Sequence, residues 1–235
     1  MSKKNKHFAN HIPSEELSQP DHNLAGEIKN RLHEEMQASA MDINLFCRNG
    51  HVHLSGIVDL YAEKKTAESI IKQIDGVKSI ENKITIAMDS NITDKHIEKE
   101  VTDKLLHQEK DSVKGVGIKV NDGVVSLIGS VNTLKEVDLA MKAAAENRGV
   151  KDVVNNLSIA SSGEFTDTAI SDKIIQELSQ TNLSFRDVHR EVSGGVVSLF
   201  GYLDNQQEVE LAKEITMGIE GVKKVINHIK VRDNK

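Results

Sequence analysis

Apolar residues along this 235-residue chain recur first at a spacing of four and then at a spacing of two, and the sequence of the two patterns is run through three times. Leu24, Ile28 and Leu32 stand four apart, as do Ile97, Val101, Leu105 and Ile170, Ile174, Leu178, which places each trio on one face of a helix. Thr93 and Thr166, each followed by an aspartate, are of the type that caps a helix start. Each helix leads into two short alternating runs parted by Asn49-Gly50, Asp122-Gly123 or Gly194-Gly195. Such pairs accept positive φ at both central positions, as a two-residue type I′ hairpin requires. The turn fixes the register, setting Cys47 opposite Val52, Leu45 opposite Leu54 and Ile43 opposite Gly56. In the second hairpin Val120 opposes Val125 and Ile118 opposes Leu127. One face of each hairpin is then apolar, as a half-buried sheet demands.

A second helical spacing follows in each unit, at Ala67, Ile70, Ile71, Ile74, at Ala140, Ala143, Ala144 and at Ala212, Ile215, Ile219. It runs to a Gly-Val pair (Gly76-Val77, Gly149-Val150, Gly221-Val222), where glycine can take the left-handed conformation that ends helices. A last alternating run closes the unit: Ile80, Asn82, Ile84, Ile86; Val153, Asn155, Leu157, Ile159; Val225, Asn227, Ile229, Val231. The chain is therefore an α+β protein of three tandem αββαβ units at offsets of 73 and 72 residues, and a repeat of this kind must be recognised before any fold is assigned. The boundaries fall at 24–87, 93–160 and 166–231, joined by connectors of about five residues, with a polar tail over 1–23 that is expected to be disordered.

The paired-residue hairpin leading into [VH]-x-L-x-Gly, as in Val52-His53-Leu54-Ser55-Gly56, Val125-Ser126-Leu127-Ile128-Gly129 and Val197-Ser198-Leu199-Phe200-Gly201, and the later Gly-Val-x-x-[VI], resemble the BON domain. The resemblance covers all three units. It implies two helices packed on one face of a small three-stranded mixed sheet, in a non-enzymatic binding module. It further implies an association with osmotic and envelope stress. Some members bind anionic phospholipid, and one cytosolic member senses potassium beside a companion module that this sequence lacks.

Composition narrows the partners. The net charge of −6 is spread along the chain, −1 over 24–87, −1 over 93–160 and −3 over 166–231. No basic face is built up, which argues against nucleic acid. The first residues lack the apolar stretch of a secretory signal and no segment is long enough to span a membrane, so a cytoplasmic location is expected. One cysteine, Cys47, on a core strand, excludes an intrachain disulfide and reads as packing rather than as a nucleophile.

Function should sit where the copies differ. The outward side of the second strand carries His51, His53 and Ser55 in copy one, Val124, Ser126 and Ile128 in copy two, and Val196, Ser198 and Phe200 in copy three. Val124, Ile128, Val196 and Phe200 put apolar groups where water is expected, marking an interaction surface. Copies two and three packing sheet to sheet, self-association, or a phospholipid surface would each cover it. His51 and His53, two apart on a strand, project from one side as candidate zinc ligands, although zinc usually takes three or four protein ligands. No cofactor is required by any motif; zinc, or potassium by resemblance, is the candidate ion. Arg190 should oppose Leu199, at the sheet margin with its head in water or paired to an acid, and a one-residue shorter lead-in allows a register shift there. Asn82, Asn155 and Asn227 should satisfy backbone groups beside the second helix. No nucleophile, base and orienter recur together, so the chain is expected not to be an enzyme. It is expected to act by binding and assembly in osmotic or envelope stress, with a cation-responsive sensor as the alternative.

Overall fold

A computed structural model describes residues 19–87, 92–107, 115–160, 165–181, 183 and 187–232. Copy one forms one compact unit, and copies two and three together form a second. Copy one contains α1 (Gln19–Met36), a 3-10 turn, β1 (Ile43–Arg48), β2 (His51–Val58), α2 (Tyr61–Lys72) and β3 (Ser79–Ile86). Copy two has α3 (Asp94–His107), β4 (Val116–Asn121), β5 (Val124–Val131), α4 (Leu134–Ala145) and β6 (Asp152–Ile159). In copy three these become α5 (Asp167–Ser179), β7 (Val188–Ser193), β8 (Val196–Leu203), α6 (Gln206–Met217) and β9 (Lys224–Val231). Each sheet has three strands with the second in the centre. The hairpin is antiparallel and the third strand parallel, as the pairings β4–β5–β6 and β7–β8–β9 show. This is the α+β architecture expected from the repeat.

The hairpin registers agree with the turn-derived ones: Cys47 opposes Val52, Ile118 opposes Leu127, and Arg190 opposes Leu199 without a shift. Both turn residues have positive φ in every copy, for example 49° at Asp122 and 77° at Gly123. The helix faces are buried as spaced, with Ile28, Val101 and Ile174 all fully enclosed. Second helices start on side-chain caps: the Thr133 hydroxyl accepts from the Glu136 amide at 3.2 Å and the Asn205 side chain from the Glu208 amide at 2.9 Å. The two glutamates reach back to the amides of Asn132 and Asp204, a reciprocal arrangement close to a capping box. Thr166 caps α5 by accepting from the Ala169 amide, as its position suggested.

Two expectations are corrected. α1 begins at Gln19, so residues 19–23 belong to the first helix rather than to the tail; Pro20 suits a first turn, where its missing N–H removes no helical bond. The expected disorder of residues 1–18 and the connectors over 88–91 and 161–164 lie outside the described residues. Among the described residues, copies two and three meet helix to helix rather than sheet to sheet. They meet through α4 and α6, with Leu134 packed against the core of copy three and Lys135 3.9 Å from Glu214.

A unit of about 65 residues gains only about 3–5 kcal/mol from its own core. Leu127 is wholly buried beneath α3 and α4. Leu127→Ala should therefore cost about 2–5 kcal/mol and unfold copy two, measured as loss of amide-exchange protection across β4–β6.

Candidate functional site

Each sheet has one face covered by its two helices and one open face, and the strand period of two decides which side chains reach the open one. Behind the open faces lies a shared polar clamp. The Asp94 carboxylate accepts the amides of Asp122 and Gly123 at 2.8 and 2.9 Å, and Asp167 accepts those of Gly194 and Gly195 at 2.8 and 3.0 Å. Asp21 does the same for Gly50 at 3.2 Å. On the other side of the turn, the carbonyls of Gly50, Gly123 and Gly195 accept from the amides of Lys78, Lys151 and Lys223 at 2.8–2.9 Å. A side chain on the second turn residue could not fit: a Cβ at Gly123 would lie 2.8 Å from the Gly149 carbonyl oxygen. Gly129 is tighter still, a Cβ there falling 2.0 Å from the Gly115 carbonyl oxygen.

The three aspartates recur at a constant offset of 73 residues, which is the signal that would have identified them in the sequence. The two turn amides hold the Asp167 carboxyl below the usual carboxylate range. Cys47 is fully buried with its thiol 3.9 Å from the Asp21 carboxylate, and burial, followed by that negative charge, pushes its pKa up.

The open faces differ as expected. In copy one, His51 and His53 are exposed; His51 Nδ1 lies 2.6 Å from Ser79 Oγ, and His53 Nδ1 2.6 Å from Glu81 Oε2. Among the described residues no three His, Cys, Asp or Glu side chains come together as metal ligands. In copy two, Val124 is half-buried and Ile128 is 47% exposed, with Val154 alongside on β6. Copy three places Val196 and Phe200 half-buried on the open face, and Phe200 stacks on His228 with ring centroids 4.9 Å apart and planes 11° from parallel. Tyr202 stands beside Lys230 and is 54% exposed. No local pattern marks Tyr202 and His228 in the sequence, because their neighbourhood exists only once β9 pairs with β8.

Arg190 is half-buried on the edge strand β7, at the sheet margin as expected, and its Nε donates to the Ser171 hydroxyl at 3.1 Å and the Ser171 carbonyl at 3.3 Å. The asparagines satisfy backbone groups. Asn82 donates to the Lys64 carbonyl in α2, and the side-chain oxygens of Asn82, Asn155 and Asn227 accept the amides of Ile84, Leu157 and Ile229.

Three helix-backed sheets, each with a glycine-tight turn and an individual open face, define a tandem-repeat α+β architecture. Comparison with known families matches the BON domain to residues 20–88, 93–161 and 166–233, and the chain belongs to the BON-domain family. It is 29% identical over 182 residues to osmotically-inducible protein Y of Escherichia coli (strain K12), across 73% of this chain and 87% of that protein. It is also 28% identical over 128 residues to an uncharacterized protein in the gshII 5' region of Anaplasma centrale, covering 51% of this chain and 83% of that one. Among solved structures, CdsD, a structural protein of the type III secretion system of Chlamydia trachomatis, aligns over 88% of this chain and 92% of its own with 16% identity and a TM-score of 0.26. The chain is thus a BON-domain protein related to an osmotically inducible protein, in a family not known for enzymes.

Cys47 should resist a thiol reagent such as DTNB in the native protein and react fully in denaturant, a contrast read from absorbance. The depressed Asp167 pKa adds stability above the unfolded carboxylate value of about 3.9, and this is lost as pH falls through the folded value. Asp167→Asn should therefore lower the urea midpoint near neutral pH and flatten its fall below about pH 4.

Proposed function

We propose that the protein is a non-enzymatic binding and assembly factor of the osmotic or envelope stress response, docking on anionic phospholipid surfaces through the open sheet faces of copies two and three. The stress setting is supported by the relationship to osmotically-inducible protein Y. The observation that carries the docking is the open face of copy three. There Val196, Phe200 and Tyr202 lie on the central strand beside Lys224, Ile226, His228 and Lys230.

Although copy three is net acidic, Glu208, Glu210 and Glu214 ride on α6, and the open face carries Lys224 and Lys230 against Glu191. Aromatic rings with an apolar body and a polar tip, flanked by lysines, suit the boundary between lipid headgroups and acyl chains. Each lysine near an anionic leaflet contributes about 1 kcal/mol, a gain that salt screens. Ile128 and Val154 give copy two a second, smaller apolar patch.

The full-length protein should float with phosphatidylglycerol-containing vesicles at low ionic strength and remain unbound with phosphatidylcholine alone. Phe200→Ser with Tyr202→Ser should cut the floated fraction several-fold while leaving the far-ultraviolet spectrum unchanged. Wild-type protein that stays unbound with anionic vesicles at low salt would leave a protein partner as the occupant of this face.

A further inference from the structure

We propose that His51 and His53 form half of a zinc site that is completed by the same two residues of a second copy of this chain. This lies beyond the lipid reading, since it uses copy one and a different chemistry. The two rings leave β2 two residues apart, on the same open face. In copies two and three the equivalent positions are Val124 with Ser126 and Val196 with Ser198, so the pair is particular to copy one.

Each imidazole is held by its Nδ1. His53 Nδ1 lies 2.6 Å from Glu81 Oε2, and the other oxygen of Glu81 pairs with Lys83 Nζ at 2.6 Å. An ionised carboxylate only accepts, so the proton of neutral His53 sits on Nδ1 and the lone pair on Nε2. His51 Nδ1 is 2.6 Å from Ser79 Oγ, a hydroxyl that can donate or accept, and in the tautomer that donates to it the lone pair lies on Nε2. Neither Nε2 has a partner among the described residues. Metal-ligating histidines commonly donate the remaining ring N–H to a carboxylate or other acceptor, which fixes ring and tautomer. β3 supplies that support to both rings.

Two imidazoles do not fill a zinc shell of four, and no third ligand joins them within the described residues. A two-fold axis brings the identical pair, giving four nitrogen ligands in a self-complementary contact. The face around the pair suits such a contact: Phe46, 50% exposed, has its ring 6.2 Å from that of His53, and Ile57 is 58% exposed. Arg48, across the hairpin from His51, and Lys83 lie on this face, where Lys83 pairs with Glu81 at 2.6 Å.

The test is zinc titration of the full chain by calorimetry, with mass read by light scattering and reversal by EDTA. One zinc per two chains and a doubled mass are expected. His51→Ala with His53→Ala should abolish both, and Glu81→Gln should weaken zinc binding roughly 10–100-fold with the amide spectrum retained. The proposal fails if zinc is not taken up saturably, if uptake survives loss of both histidines and so belongs elsewhere, such as to His7, His11 and His22, or if zinc binds one per chain with the mass unchanged.

Discussion

The hairpin bend of each repeat is held from two sides at once, and the repeat takes its shape from that hold. A first-turn aspartate accepts the bend's amides, and the segment after the Gly-Val pair donates to its carbonyl. The first helix, the hairpin and the entry to the third strand are thereby fixed to a single point. Burial alone would not do this, because apolar contact is non-directional. The charged acceptor makes the bond stronger than a neutral one, and the short backbone approach excludes every residue but glycine.

With the bend fixed, the buried side has little freedom to vary and the open side has a great deal. Val52, Val125 and Val197 occupy the same inward position and are all fully buried, as are Leu54, Leu127 and Leu199. On the other face, alternate positions of the same strands carry histidine, valine, serine or phenylalanine. One scaffold thus presents three surfaces of different chemistry. Copies two and three share further burial through α4 and α6, which leaves the open faces of their sheets accessible.

Much of this was legible in the sequence because the signals are local. Helical trios, paired turn residues and a period of two each report on a few neighbouring positions, and the register of all three hairpins follows from the bends. Asp21, Asp94 and Asp167 were not legible in the same way. An aspartate in a first helical turn already has an ordinary explanation in capping and the helix dipole, and the amides it binds lie 27–29 residues further on. The early start of α1 escaped for a related reason, since Gln19-Pro20-Asp21-His22 contains no apolar residue to extend the spacing. The partners of the outward side chains, Glu81 for His53 and His228 for Phe200, depend on the third strand, whose placement no local pattern records.

The repeated asparagine of the third strand has a further meaning. Each three-stranded sheet ends at that strand, and an edge offers bare amides and carbonyls to any extended segment. In β3, β6 and β9 one such amide is already taken by the asparagine two residues before it. Each sheet thereby has one edge amide already occupied, a local obstacle to an added strand on that side.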